Sequence, residues 1–169
     1  MSKTLKTIVT AQIDAVYKNV LDLGTPTDNF LKKTKIELTS GTAADKADLM
    51  FSDQRTLAAS GTEDLDLAGS LSDAFGATLT FVELKAIIVS AASGNTNNVL
   101  VARASSNGVP LFSAASDAIP VYPGGVFMWA NPGDGGVTVT AGSGDLITIT
   151  NSSSGTSVTY DVVIIGTSA

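Results

Sequence analysis

Cysteine and histidine are both absent from this sequence of 169 residues. Without cysteine the chain has no disulfides, no thiolate metal ligands and no thiol nucleophile. Without histidine it lacks the most common general base and the most common ligand of transition metals. Any chemistry would therefore depend on carboxylates, lysine, tyrosine and hydroxyl groups.

The densest group of carboxylates is Glu63, Asp64 and Asp66. A pair of carboxylates could hydrolyse a glycosidic bond if both lay beside it. The alternation of these acids with Leu65 and Leu67 is instead typical of a strand with one face in a core. We therefore expect a structural role for this group and no catalytic residues.

Motifs that would bind a cofactor or a metal are also missing. The glycine-rich stretches AGSGD and PGGV do not lead from a strand into a helix, as phosphate-binding loops do. The acidic stretch from Asp53 to Asp66 lacks the spacing of an EF-hand. We expect no cofactor and no metal site, while a calcium ion bound by surface turns stays open.

Charge divides the chain into two parts. Residues 1–46 contain seven lysines and five acids, whereas residues 47–169 contain three basic residues and 11 acids. An acidic body without a basic stripe repels nucleic acid. Charged and polar residues also interrupt the apolar residues of the N-terminal 20, which predicts neither a signal peptide nor a membrane span. We expect a protein made in the cytoplasm that binds neither nucleic acid nor membrane.

The two parts also differ in pattern. The first 25 residues fit the period of a helix and that of a strand, and frequent threonine and valine without a capping box favour an extended arm or strands. The stretch LDLGTPTDNFLKKTKIELTSG then indicates strand, turn and strand. We predict an N-terminal arm and leading β-hairpin over residues 1–46 and a body over residues 47–169.

About eight short strands, separated by loops rich in glycine, serine and asparagine, are expected in the body. They predict an all-β fold, an antiparallel β-sandwich or jelly roll. Three local predictions follow: a central strand over residues 78–89, a hairpin at Asn107-Gly108 that continues into PLF, and a hairpin within residues 51–71. The last would turn at Ser60-Gly61-Thr62, with Arg55 pairing with an acid across it.

Three aromatic residues lie close together in the body, namely Tyr122 and the alternating pair Phe127 and Trp129. Exposed aromatic rings can stack on sugars or bases. Alternating aromatics on a strand more often belong to a core or a subunit seam. The sequence leaves a binding groove and a seam between subunits as alternatives.

Across residues 48–166 the chain resembles structural proteins of tailed bacteriophages. The resemblance lies in the stretch from FSDQRTLAASGTEDLDLAGSL through NTNNVLV, then in IPVYPGGVFMW and GTSVTYDVVIIG. It implies a non-enzymatic virion protein similar to jelly-roll capsid decoration (cement) proteins, which bind the head surface and stabilise contacts between major capsid proteins. The alternative is a tail-fibre or minor tail module that binds a receptor or a glycan.

The resemblance further implies a homo-oligomer, with a trimer expected, and the major capsid protein as partner. The basic, amphipathic arm is the first candidate for the capsid contact, since it could add a strand to the sheet edge of a neighbour. Its candidate contact residues are Lys3, Lys6, Ile8, Val9, Ile13, Tyr17 and Lys18.

Overall fold

A computed structural model describes residues 3–134 and 136–169. These residues contain no helix and form twelve strands. The strands are β1 (Thr7–Lys18), β2 (Thr27–Ser40), β3 (Lys46–Ala47), β4 (Leu49–Leu57), β5 (Thr62–Asp66), β6 (Glu83–Ala91), β7 (Val99–Arg103), β8 (Ala118–Val121), β9 (Val126–Ala130), β10 (Val137–Thr138), β11 (Leu146–Asn151) and β12 (Val158–Thr167).

The body is a sandwich of two antiparallel sheets, as the sequence predicts. One sheet has the order β9-β6-β12-β4, with the short β10 also paired to β6, and the other has the order β5-β11-β7-β8. All but one of the connections between successive long strands cross from one sheet to the other. This alternation is the strand order of a jelly roll, so the predicted all-β fold is confirmed.

The core lies between the two sheets because both carry β-branched and leucine side chains on alternate residues. Strand β11 buries Ile147 and Ile149 completely. On β12, the side chains of Val158, Val162 and Ile164 are each at most 1% exposed. This period of two places one side of every strand against the opposite sheet. The other side of each strand forms an outer face of the sandwich.

Residues 7–40 form a long hairpin outside the sandwich. Strands β1 and β2 pair without a register shift from Thr7↔Leu38 to Lys18↔Thr27, and the short β3 joins β2 in a parallel pair. The extended interpretation of the N-terminal residues is therefore correct, and the helical alternative is wrong. The hairpin turn lies between Asn19 and Pro26.

The predicted hairpin within residues 51–71 does not form. Strand β4 pairs with β12, whereas β5 pairs with β11 in the opposite sheet. The Ser60-Gly61 turn therefore crosses between the two layers. Both strands bury an apolar face against the same core. Two strands paired as a hairpin would show the same local sequence pattern, so the sequence alone does not distinguish the two arrangements.

Two further local predictions are corrected. The strand predicted over residues 78–89 begins only at Glu83, because Leu79 and Phe81 donate their N–H groups to Leu71 and Leu67 instead of joining the sheet. The Asn107-Gly108 turn does not form a hairpin with PLF. Gly108 lies beside Leu146 instead, and β7 pairs with β8 after a longer loop.

A bulge in β12 depends on Gly166. The register of β12 against β6 shifts between Ile165 and Gly166. A Cβ atom at Gly166 would lie 2.1 Å from the Glu83 carbonyl oxygen and 2.6 Å from the Phe81 ring. Such distances leave no room for any side chain.

We expect Gly166→Ala to lower the free energy of unfolding by about 2 to 3 kcal/mol, because the backbone of the central sheet must move to accept the methyl group. Gly69→Ala is the matched control, since a Cβ there meets nothing within 4 Å. Chemical denaturation of both variants measures the difference. Equal stability of the two variants would contradict this role of Gly166.

Candidate interaction surface

The outer part of the hairpin projects away from the sandwich. Every residue from Thr10 to Lys35 is exposed, although this segment includes most of β1 and β2. We call this segment the arm. Isolated two-stranded hairpins are at best marginally stable in water. The arm is therefore a surface that would gain stability from contact with another molecule.

The register gives the arm two different faces, because residues directly opposite each other in a hairpin share a face. One face, here called the apolar face, carries Ile13 beside Lys32, Ala15 beside Phe30, and Tyr17 beside Asp28. The exposed fractions of the three large side chains are 63% for Ile13, 55% for Phe30 and 77% for Tyr17.

The opposite face of the arm, here called the lysine face, is more polar. It carries Lys18, Lys33 and Lys35, with Asp14 and Val16 between them. Lys35 forms an ion pair with Glu37 at the base of the hairpin, and this hydrogen bond and charge lower the pKa of the glutamate. The arm therefore presents three large apolar or aromatic side chains on one side. On the other it presents three lysines beside the exposed side chains of Val16 and Leu31.

The base of the hairpin packs against the body through the same side as the apolar face. Val9 and Leu38 are buried, and they form a cluster with Ala86 and Ile165 of the central sheet, against which Ile36 packs. This contact lies on the outside of the sandwich. The apolar face is thus the outward continuation of a surface that already binds this chain's own sheet.

The outer face of the β9-β6-β12-β4 sheet is apolar beyond the hairpin base. The next row across the sheet consists of Met128, Ile88 and Val163, followed by Ser52 on β4. Ile88 and Val163 are half-buried and Met128 is 36% exposed. We call this row, together with Met50 and Val126 at its margins, the outer sheet patch.

Four of the seven capsid-contact residues predicted from the sequence lie outside the arm, at or near the body. Lys3 forms an ion pair with Asp73, a contact that together with backbone N–H groups lowers the pKa of that aspartate. Lys6 and Ile8 line a cavity of about 270 Å³ between the hairpin base and the outer sheet face. Val9 is buried in the hairpin base. Lys3 and Val9 are therefore engaged within the chain.

The other three predicted contacts lie on the arm but not on one face. Ile13 and Tyr17 belong to the apolar face, whereas Lys18 belongs to the lysine face. Sequence reasoning missed Phe30, which lies opposite Ala15, and it missed the outer sheet patch. The alternation in NFLKKTKIE carries a signal for Phe30, but the face it shares with Ile13 depends on the hairpin register.

The three aromatic residues do not form one surface. Phe127 and Trp129 are half-buried and pack against the core between the sheets, and the Phe127 ring lies 5.9 Å from that of Phe112. Tyr122 is 64% exposed in the turn before β9. Trp129 and Tyr122 thus have different environments.

The acidic group of β5 is divided between the interior and the surface. Glu63 faces inward, where its carboxylate accepts hydrogen bonds from Arg55 Nη1 at 2.6 Å and from the Tyr160 hydroxyl at 2.7 Å. Asp64 faces outward and accepts a hydrogen bond from Thr148. Asp66 accepts the N–H of Ala68 in the following turn.

These contacts make Arg55, Glu63 and Tyr160 a polar link between the two sheets. Burial of Tyr160, followed by its hydrogen bond to Glu63, raises the pKa of the phenol above its usual range. Burial alone would lower the pKa of Arg55, but the hydrogen bond and charge of Glu63 raise it above its usual value. The expected pairing of Arg55 with an acid is observed, although it joins two sheets rather than two strands of a hairpin.

Neither a cluster of metal-ligating side chains nor a membrane-spanning helix occurs in the described residues. No group of three or more acidic side chains in residues 3–134 and 136–169 is arranged to hold a metal ion. That part of the chain also contains no helix long and apolar enough to cross a membrane. Comparison of this chain with protein-family models, with curated proteins and with solved structures found no match.

We expect Glu63→Gln to lower the free energy of unfolding by about 1 to 2 kcal/mol, since the Arg55 guanidinium loses its closest anion. Breaking a fully buried ion pair costs more, but both side chains here are partly exposed. Asp64→Asn on the outward face of the same strand is the control and should change stability by less than about 0.5 kcal/mol. Denaturation at pH 7 tests both, and equal losses would contradict the inter-sheet role.

The raised pKa of Tyr160 predicts a pH dependence of stability. Because the folded state holds the phenol neutral, its contribution is complete below the unfolded tyrosine pKa of about 10 and is lost as pH rises above it. The difference in stability between the wild type and Tyr160→Phe should therefore decrease between pH 9 and pH 11. Tyr17→Phe, at an exposed position, should show no such trend.

Proposed function

We propose that this chain is a non-enzymatic bacteriophage virion protein, a capsid decoration protein that binds the head surface and stabilises contacts between major capsid proteins. Its likeness to such proteins over residues 48–166 supports the assignment. The observation that carries it is the exposed arm, which projects from a stable jelly-roll body. A projecting hairpin serves attachment to a neighbouring subunit better than it serves catalysis.

The edge of β1 supports attachment by strand addition. Within the described part of the chain, β1 pairs with β2 on one side and has no strand on the other. Asn19 donates its N–H to the Pro26 carbonyl at 3.1 Å. Because hydrogen-bonded and non-hydrogen-bonded pairs alternate along an antiparallel ladder, the odd-numbered residues of β1 are the ones that hydrogen-bond to β2. Even-numbered residues such as Gln12 therefore direct their N–H and C=O groups outward, where a neighbour's strand can pair.

The lysine face suits a partner with an acidic surface. Lys18 and Lys33 are exposed and have no ion pair within 4.0 Å among the described residues. Contacts of this kind steer association more than they add affinity. Main-chain pairing along β1 would supply the affinity, and the lysines would orient the arm.

Shell stabilisation then follows from mass action. A protein that binds the assembled shell and not its separate subunits lowers the free energy of the assembled state. Many copies bound to one particle add their contributions, and contacts that bridge two shell subunits gain from effective concentration. No catalytic residue is needed for this role.

A glycan-binding tail module is the competing function, and the aromatic residues give it little support. Such a module needs aromatic rings exposed together beside polar side chains. Trp129 packs against the core, while Tyr122 is exposed alone. Labelling of phage particles with antibodies against this chain separates the two assignments: we expect label on the head, and label confined to the tail would overturn the proposal.

We expect binding to particles to be lost when residues 10–35 are replaced by Asn-Gly. Val9 and Ile36 are a hydrogen-bonded pair, so this two-residue turn can close the hairpin and keep its buried base. Sedimentation of particles stripped of this protein with each purified variant measures binding. Unchanged binding of the shortened chain would show that the arm is not the attachment site.

Gln12→Pro tests strand addition itself. Proline is tolerated at an outward position of an edge strand, but it removes one N–H that the added strand would use. We expect at least tenfold weaker binding to particles with an unchanged circular dichroism spectrum. Gln12→Ala keeps the N–H and should bind like the wild type; equal binding of both variants would exclude pairing at this edge.

A further inference from the structure

We propose that the apolar face of the arm packs on the outer sheet patch of a second copy of this chain. The inference goes beyond the proposed function, because it concerns assembly of the protein with itself and uses a different surface of the arm. The edge of β1 and the lysine face stay available for the shell. The partner is inferred from four features of the structure.

The first feature is a contact of the same kind within the chain. Val9 and Leu38, on the side of the hairpin that becomes the apolar face, already bury themselves against Ala86 and Ile165 of the outer sheet face. The arm continues the same side of the hairpin, and the outer sheet patch continues the same face of the sheet. Two surfaces that pack together at the base thus both extend beyond it. The arm is fully exposed, whereas the patch is partly covered, because Val163 packs against the base cluster and Ile88 lines the cavity beside Ile8.

The second feature is that the arm does not reach the patch of its own body. Strand β1 contains neither glycine nor proline and pairs with β2 without a bulge along its whole length. It therefore has no point at which it could fold back. Every residue from Thr10 to Lys35 is exposed in this straight hairpin, so nothing in the described part of the chain covers them and a different molecule can.

The third feature is length. From Thr10 to Lys18 the arm extends about 27 Å at roughly 3.4 Å per residue. Four strands spaced about 4.8 Å apart place the outermost strands of the β9-β6-β12-β4 sheet only about 14 Å from each other. The arm of one copy is thus long enough to cross the whole outer face of another.

The fourth feature is charge. Lys32 lies on the apolar face beside Ile13, with no acidic partner within 4.0 Å in the described residues. Asp161 lies on the outer sheet face two residues before Val163 and is exposed, and Gln54 donates a hydrogen bond to its carboxylate. The apolar face thus carries one charge of each sign, Lys32 and Asp28, and Lys32 can pair with Asp161 when the arm lies on the outer sheet patch.

One isoleucine and one leucine, on opposite faces of the arm, provide a matched test. Ile13 on the apolar face and Leu31 on the lysine face are both 63% exposed and lie on paired strands. We expect the wild type to sediment as an oligomer at tens of micromolar, Ile13→Asp to dissociate at least tenfold more readily, and Leu31→Asp to behave like the wild type. Circular dichroism and thermal unfolding establish that both variants are folded.

A monomeric wild type at these concentrations would overturn the inference, as would equal loss of association in the two variants. The outcomes are separable from those of the proposed function. A monomer that still binds particles contradicts only the self-association. An oligomer that does not bind particles contradicts only the decoration role.

Cross-linking identifies the opposite surface. Because the chain has no cysteine, single cysteines can be introduced without background. Differently tagged Ile13→Cys and Met128→Cys proteins are co-expressed and treated with a short bismaleimide, and we expect a cross-linked product that carries both tags. In the control, Leu31→Cys is paired with Met128→Cys instead, and we expect little cross-linked product. Equal yields from the two pairs, or no product from the first, would overturn the placement of the arm.

Discussion

Strand β12 is the element on which both the body and the arm depend, because both of its faces are used. Its inner side chains, among them Val162 and Ile164, lie in the core between the two sheets. On the outer side, Ile165 belongs to the cluster that holds the hairpin base. Pairing with β4 on one edge and β6 on the other fixes its position. The bulge at Gly166 then lets the strand end beside Phe81 without a steric clash.

The same strand connects the sandwich to its acidic group. Tyr160 is completely buried, and its hydroxyl reaches the carboxylate of Glu63 on the opposite sheet. Arg55 on β4 supplies the balancing charge from the neighbouring strand. The charged residues that look like a site in the sequence therefore form a structural link between the two sheets in the folded protein. The Glu63 carboxylate accepts from both Arg55 and Tyr160, and a carboxylate oxygen of Asp53 lies 3.1 Å from the Arg55 Nε.

The arm, unlike the body, leaves apolar side chains and main-chain hydrogen-bonding groups exposed. A body with a full core has no need of further burial, yet it carries a hairpin with an open edge and an uncovered apolar face. Long exposed edge strands promote pairing with other chains, and natural proteins usually protect them. On β1 only Asp14 and Lys18 provide charges that protect such an edge, and neither proline nor a bulge interrupts the strand, which supports an intermolecular role for the arm. Its two faces and its edge allow it to contact more than one neighbour at once.

Alternation within single strands was readable from the sequence. It correctly placed Leu65 and Leu67 in the core and Asp64 outside, and the spacing of strands and polar loops predicted an all-β sandwich. Pairing between strands was less readable. The stretch from Phe51 to Leu71 has the pattern of a hairpin, but β4 and β5 pair in opposite sheets. Their partners, β12 and β11, lie far along the chain, as the pairs Leu57↔Val158 and Asp66↔Leu146 show.

The sequence by itself determined the class of the fold, the boundary between a lysine-containing leading segment and an acidic body, and the absence of histidine and cysteine. These properties depend on composition and on neighbours within a strand. The tertiary structure alone decided which arm residues are free. Val9 and Ile13 both lie on the same side of β1, but only the former meets the sheet. Whether an apolar side chain is core or contact surface depends on where the body ends, which local sequence does not encode.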